Sequence, residues 1–254
     1  MIEFPKLTWP EAKRLFTART IAILPIGSTE PHGPHLPLDT DVTIAVAQAR
    51  RAVEKLGKLG VVSFVLPPLS YGITNWTSGF AGRVTIRPGT LWSLLEDIVN
   101  ALEQQEIRQI VFANAHLEPA HVQVLRGVAL DHAARGHERA HVVFADNTRR
   151  RFAETLGDEF KSGDCHAGRY ESSLVLAADA KSVREDERKK LAPVAIDLLA
   201  KMKAGVTTFK EAGAELGYCG DPKAASAKEG EAWIEQLSDM IVVSAREAWP
   251  DLFA

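Results

Sequence analysis

Short apolar runs rich in β-branched residues alternate along the chain with longer stretches whose apolar positions recur at helical spacing. Residues 20–26, 61–66, 109–113 and 141–145 read as buried strands, and 84–86 as a short fifth. The first run stops at Gly27 and the second at Pro67-Pro68. The four longer runs are mostly apolar rather than strictly alternating, the pattern of strands covered on both faces in a parallel sheet. Between them, residues 40–58 open on Asp39-Thr40 and close near Gly57. Residues 88–106 open on Pro88 and set Leu91, Leu94, Leu95, Ile98 and Leu102 along one face. Residues 119–135, 147–156, 170–178 and 224–249 complete the expected helices. Strand–helix alternation with right-handed crossovers predicts an α/β fold. The expectation is a single three-layer α/β/α domain over residues 1–254, with a mostly parallel central sheet flanked by helices. The charged run 181–190 reads as a solvated face or turn.

Composition narrows the function classes. The 254 residues are 46% hydrophobic and 25% charged, which is ordinary for a globular chain large enough to bury its own core. A formal net charge of −3 argues against a nucleic-acid scaffold, which shows a basic face. No apolar run approaches the roughly 20 residues of a membrane span, and the first residues carry no secretory pattern. Two cysteines, Cys165 and Cys219, do not make a disulfide framework, so a cytoplasmic location is the simplest expectation.

Polar residues fall just after three of the strands, at Gly27-Ser28-Thr29-Glu30, Asn114-Ala115-His116 and Asp146-Asn147, where open α/β sheets bind ligands, and three clusters offer candidate chemistry. The first is Glu30-Pro31-His32-Gly33-Pro34-His35-Leu36-Pro37-Leu38-Asp39-Thr40-Asp41. Its three prolines stiffen a loop carrying carboxylates and imidazoles, donors that suit a divalent metal. The second is Asn114-Ala115-His116-Leu117-Glu118, with His and Glu two apart after a strand. The third is Asp164-Cys165-His166-Ala167-Gly168-Arg169-Tyr170-Glu171-Ser172-Ser173, where Gly168 is expected to make a tight turn and His166 is a candidate acid–base. Glu30, His32, Asp41, His116 and Glu118 form a mixed oxygen–nitrogen set larger than one metal needs if it keeps an open position. Two divalent ions sharing a carboxylate explain the number, and such a pair is a hydrolytic device. The chain has no Gly-rich phosphate loop, dinucleotide fingerprint or Gly-x-Ser-x-Gly elbow. Ser28 reads as a hydrogen-bond donor, and Cys165 as neither ligand nor nucleophile.

These residues resemble the creatininase family of metal hydrolases. The resemblance rests on Leu24 to Pro37 with Asp41, on Asn114-Ala115-His116, on His166 to Ser173, and on Gly220-Asp221-Pro222-Lys223 with the following Lys228-Glu229-Gly230-Glu231. It implies a layered α/β/α fold, a homo-oligomer (a hexamer built as a trimer of dimers), and two divalent ions per chain, Zn2+ or Mn2+, with Fe2+ also open. It places Glu30 and His116 on one ion, His32 and Glu118 on the other, and Asp41 between them. His166 resembles the family's catalytic acid–base, Glu171 a carboxylate in or beside the metal shell, and His35 a residue that orients a ligand. The implied reaction is attack of a metal-bridged hydroxide on a cyclic or linear amide, creatinine- or lactam-like. His166 would donate a proton to the leaving nitrogen, and Glu118 or Glu171 would shuttle the first one.

Three departures concern the small-molecule substrate. Leu117 stands where the family's namesake has an aromatic residue, and Ser162-Gly163 where it has a Trp-Asp pair. The loop from Gly72 to Gly82 lacks the relatives' His-containing run and offers Trp76 and Phe80 instead, as walls for a flat substrate or as packing. Alternatives on the same site are a deformylase of a ring-opened purine-type nucleotide, a short-peptide hydrolase and a hydrolase of cyclic diketones. The nucleotide reading calls for a phosphate-binding cation, for which Arg83, Arg87 and Arg169 are candidates. A non-catalytic metal- or metabolite-binding oligomer would have no need of His166.

Overall fold

The four longer apolar runs become strands β1 (Ile21–Ile26), β2 (Ser63–Val65), β3 (Gln109–Asn114) and β4 (His141–Phe144). They pair in the order β2-β1-β3-β4, every pair parallel. The computed structural model describes residues 4–136 and 139–254. Eleven α-helices lie among those residues: α1 (Trp9–Leu15), α2 (Thr40–Lys58), α3 (Pro88–Glu103), α4 (Pro119–Ala134), α5 (Arg150–Ala153), α6 (Asp158–Ser162), α7 (Arg169–Asp179), α8 (Glu185–Arg188), α9 (Leu198–Lys203), α10 (Phe209–Ala212) and α11 (Ala227–Ala248).

Both faces of the sheet are covered, as the unbroken apolar runs predict. Successive side chains point to opposite faces. Ala22, Leu24, Ile26, Ile110 and Phe112 pack with Leu91, Leu95 and Val99 of α3 and with Leu125 and Val128 of α4. Ile21, Ile23, Val111 and Ala113 pack with Ala49, Ala52, Val53 and Leu56 of α2 and with Ile241, Val242 and Ala245 of α11. A third apolar cluster joins α7 to α11 through Leu174, Val175, Ile234 and Leu237. A small fourth one, around Phe209, Leu198 and Ile196, takes in Trp76 and Phe80.

The departures from expectation have local causes. Residues 84–86 make no strand; Val84 pairs only with Thr29 and Thr85 only with Gly72, as isolated bridges. The helix expected over 147–156 contracts to α5, because Asp146 Oδ1 accepts bonds from the Thr148 N–H and hydroxyl and holds a turn there. The helix expected to 106 stops at Glu103, and Glu106 adopts a φ of 67°. Ser226, not residue 224, starts α11, its hydroxyl accepting the Glu229 N–H. In the charged run 181–190 Arg188 is buried. It forms an ion pair with Glu185 and donates to the Pro222 and Lys223 carbonyls.

Candidate metal centre and active site

β1 and β3 end in register, Ile26 opposite Asn114, so the loops that follow them leave the sheet side by side. One carries Glu30 and His32, the other His116 and Glu118. Asp41 comes from the first turn of α2, which reaches this edge because Gly27 has no side chain; a Cβ there would lie 2.6 Å from the Val42 nitrogen. Glu171 comes from the first turn of α7. The turn before α7 is made by Ala167, with a φ of 50°, and Gly168 is extended, contrary to the expectation that Gly168 makes it. The Ala167 N–H donates to Glu171 Oε2 over 2.7 Å.

The donors converge in three triads: Glu30–Asp41–His116, His32–Asp41–Glu171 and Glu30–His32–His166. Asp41 stands between the two histidines of the first two. Its Oδ2 lies 3.1 Å from His116 Nδ1 and its Oδ1 3.2 Å from His32 Nε2. Glu30 Oε1 is 3.0 Å from His116 Nδ1, and Glu171 Oε2 is 3.5 Å from His32 Nε2. The carboxylate brought beside His32 is thus Glu171. Glu118, expected there from the resemblance, belongs to none of the triads. It lines the adjoining pocket, its Oε2 accepting the Trp76 N–H.

The other nitrogen of each histidine is tied to the backbone. His116 Nε2 donates to the Ile73 carbonyl over 2.6 Å and His32 Nδ1 to the Glu30 carbonyl over 3.1 Å. That is how metal-binding histidines are commonly oriented. His32 Nε2 is buried without a hydrogen-bond partner and faces carboxylate oxygens. Such an orphan fits a site made for a cation. Proton affinities say the same. Burial works to lower the His32 pKa, yet Asp41, Glu171 and Glu30 raise it to about 10. Burial likewise opposes, and Glu30 and Asp41 overcome it, at His116, whose pKa lies well above the usual value. Burial would raise Asp41, but His32 and His116 hold it well below the usual range. Burial raises Glu171 to about 8 against the pull of His32. The residues present therefore fit a divalent metal centre.

Around these donors stand residues that fix them. Ser28 Oγ donates to Asp41 Oδ2 over 2.6 Å, the role expected of it. Thr77 Oγ1 donates to Glu30 Oε2 over 3.0 Å. His35 bonds Ser172 Oγ over 2.8 Å and so steadies α7 beside Glu171 rather than touching a donor directly. Thr77, Ser172 and the buried His121 were not singled out from the sequence; a hydroxyl or imidazole in a loop or helix has no spacing pattern to betray it.

His166 lies beside His32, ring centroids 4.5 Å apart, and stacks on Phe209 at 4.1 Å and 15°. Its Nε2 donates to the Pro31 carbonyl over 3.1 Å, which leaves Nδ1 as the basic atom. Burial, with His32 next to it, lowers its pKa to about 4. Burial raises Glu118 to about 7. Both line a pocket of about 80 Å³ with Trp76, Leu117, Gly163, Met202 and Phe209. Trp76 is thus a wall, while Phe80 does not line the pocket but packs beneath Lys210. Arg83 donates to the Thr74 carbonyl, Arg169 pairs with Glu229 and Arg87 is exposed; none of the three lines the pocket. Cys165 reaches the pocket, but burial and Glu171 hold its thiol well above the usual range. No helix among the described residues is long and apolar enough to cross a membrane.

Comparison with known proteins agrees with this geometry. The family model described as creatininase, creatinine amidohydrolase, matches residues 5–244. A mycofactocin precursor peptide peptidase of Mycolicibacterium smegmatis is 33% identical over 91% of this chain and 86% of its own. A creatinine amidohydrolase of Pseudomonas putida is 32% identical over 44% of each chain. Among solved structures, a mutant creatininase complexed with creatine superposes with a TM-score of 0.74 at 22% identity, covering 98% of this chain and 99% of that one. A creatininase described as the Mn form gives the same score. The fold is that of these enzymes, and the chain belongs to the creatininase family of amide-bond hydrolases.

Proposed function

We propose that this chain is a dinuclear, metal-dependent amidohydrolase whose substrate is a short peptide, cleaved at a backbone amide. One observation carries the dinuclear part: Asp41 shares its two oxygens between two histidines, each completed by a different carboxylate. Glu30, Asp41 and His116 would hold one ion, and His32, Asp41 and Glu171 the other. Divalent ions there would acidify water and polarise the scissile carbonyl.

The chain's own side chains do the rest. Ser28 and Thr77 occupy one oxygen each of Asp41 and Glu30 and so fix which way these carboxylates face. His166 takes the proton of the attacking water at Nδ1, its Nε2 being committed to Pro31, and returns it to the leaving amine. Phe209 and Trp76, in edge-to-face contact at 5.4 Å, exclude bulk water from that transfer. Glu118, beside the pocket, exchanges protons with solvent.

The peptide reading is supported by the relative that matches over most of both chains and is named a peptidase. It is supported too by the pocket wall, which Leu117 and Gly163 line with an aliphatic side chain and with none. The test is to purify the protein without chelator and measure its metal content. The same sample is then assayed against creatinine and a set of short peptides. Two ions per chain with peptide cleavage and no creatinine turnover is the expected result. Creatinine turnover with inert peptides would overturn the substrate, and failure to take up zinc or manganese would overturn the mechanism.

A further inference from the structure

His121 is fully buried in the first turn of α4 and touches neither the pocket nor any carboxylate of the site. Its ring stands edge-on to that of His116, centroids 4.8 Å apart. The Ile73 N–H points at its Nδ1 over 3.4 Å, and its Nε2 lies 3.2 Å from Asn114 Oδ1. A backbone N–H can only donate, so Nδ1 is the acceptor and Nε2 carries the hydrogen. The same two residues, Ile73 and Asn114, hold His116. The Ile73 carbonyl takes the His116 Nε2 hydrogen over 2.6 Å. Asn114 Nδ2 donates to the His116 carbonyl over 2.6 Å, and Oδ1 accepts the His116 N–H. The backbone of Ile73 is therefore held by two imidazoles on successive peptide groups, His121 on its N–H and His116 on its carbonyl. Residue 72 must be glycine for this, since a Cβ there would sit 2.8 Å from His121 Nδ1.

We propose that His121 is a positioning residue for the metal site: through the Ile73 backbone and Asn114 it fixes the tautomer and ring angle that aim His116 Nδ1 at Glu30 and Asp41. Resting on the dinuclear reading above, it assigns His121 to one of the two ions. The contacts of His121 lead to His116 and to the loop bearing Thr77, which steadies Glu30. None leads to His32 or Glu171.

The test measures metal affinity rather than turnover. Wild type, His121→Phe, His121→Asn and His116→Ala are loaded with zinc and titrated with a competing chelator, while circular dichroism and Tm report folding. His121→Phe keeps a ring but loses both polar contacts. It is expected to release one ion at about 10–100-fold lower chelator concentration, the usual effect of losing such a support, with the second ion held as in wild type. His121→Asn keeps an acceptor near the Nδ1 position and is expected to recover part of that loss. It carries the test if the Phe variant does not fold. A merely structural role would lower Tm and weaken both ions alike, which would overturn the proposal. So would wild-type retention of both ions in His121→Phe or, in its place, His121→Asn. Retention of both ions by His116→Ala would instead overturn the ligand reading on which the proposal rests.

Discussion

At Asp41 two of the three donor triads meet, with one oxygen facing His32 and the other His116. On the proposed dinuclear reading, replacing it would remove a donor from both ions and leave two buried imidazoles with less to balance them. Asp41→Ala is expected to lose both ions at concentrations that saturate the wild type, and hydrolysis with them. Its loss should exceed the roughly 10–100-fold cost of removing an outer contact, as metal analysis after gel filtration would show. His166 differs because its Nε2 is spent on a backbone carbonyl and its ring is packed by Phe209. His166→Ala is expected to keep both ions and to lose about 10²–10⁴-fold in kcat. Loss of an ion in that variant would place His166 among the ligands, as its triad with Glu30 and His32 allows, and not in proton transfer.

At the scale of elements, the turn around α8 shows what local pattern misses. A run of charges looks like solvent-facing surface, yet Arg188 is buried and donates to two carbonyls of the 222–223 segment. Arg188→Met would leave those carbonyls unpaired. It is expected to cost about 2–3 kcal/mol, or roughly 4–12 °C in Tm for a chain of this size, read by thermal unfolding. The Arg188 guanidinium beside Glu185 also lowers that carboxylate from 4.5 to about 2. A depressed carboxylate stabilises the fold above its unfolded pKa and loses that contribution as pH falls through the folded one. The window is therefore from about pH 4.5 down to about 2. Glu185 is 40% exposed, so the effect is modest and screened by salt. Tm of Glu185→Gln should fall less steeply than that of wild type across this window, and equal slopes would show that the pair contributes nothing. The short helices α8, α9 and α10 were not legible as helices, because four to six residues carry no period; α8 has no apolar residue, and Leu198 of α9 and Phe209 of α10 are buried together in one small cluster.

For the whole molecule, the site joins segments at β1, α2, β3 and α7, drawn from both halves of the chain. Ions that bind only the folded state stabilise it by mass action, each by about 2.7 kcal/mol when free metal is 100 times its Kd. Chelator is expected to lower Tm by several degrees, and restored zinc or manganese to return it. An unchanged Tm would mean that the donors hold no ion tightly.

The features legible along the chain were those that rest on near neighbours and on residue type. Continuous apolar runs declared a parallel sheet covered on both faces, because burial of a strand on two sides leaves no room for alternation. Clustered histidines and carboxylates marked candidate donors, because metal chemistry restricts residue types. Tertiary structure alone decided which carboxylate meets which imidazole. Glu118 is two residues from His116, and Glu171 is far along the chain from His32, yet it is Glu171 that faces His32 Nε2. The packing of α7 against α2 and α11 makes that choice, and it joins residues whose separation along the chain carries no period. His121 stayed hidden for the same reason, since its partners Ile73 and Asn114 reach it from two other segments of the chain.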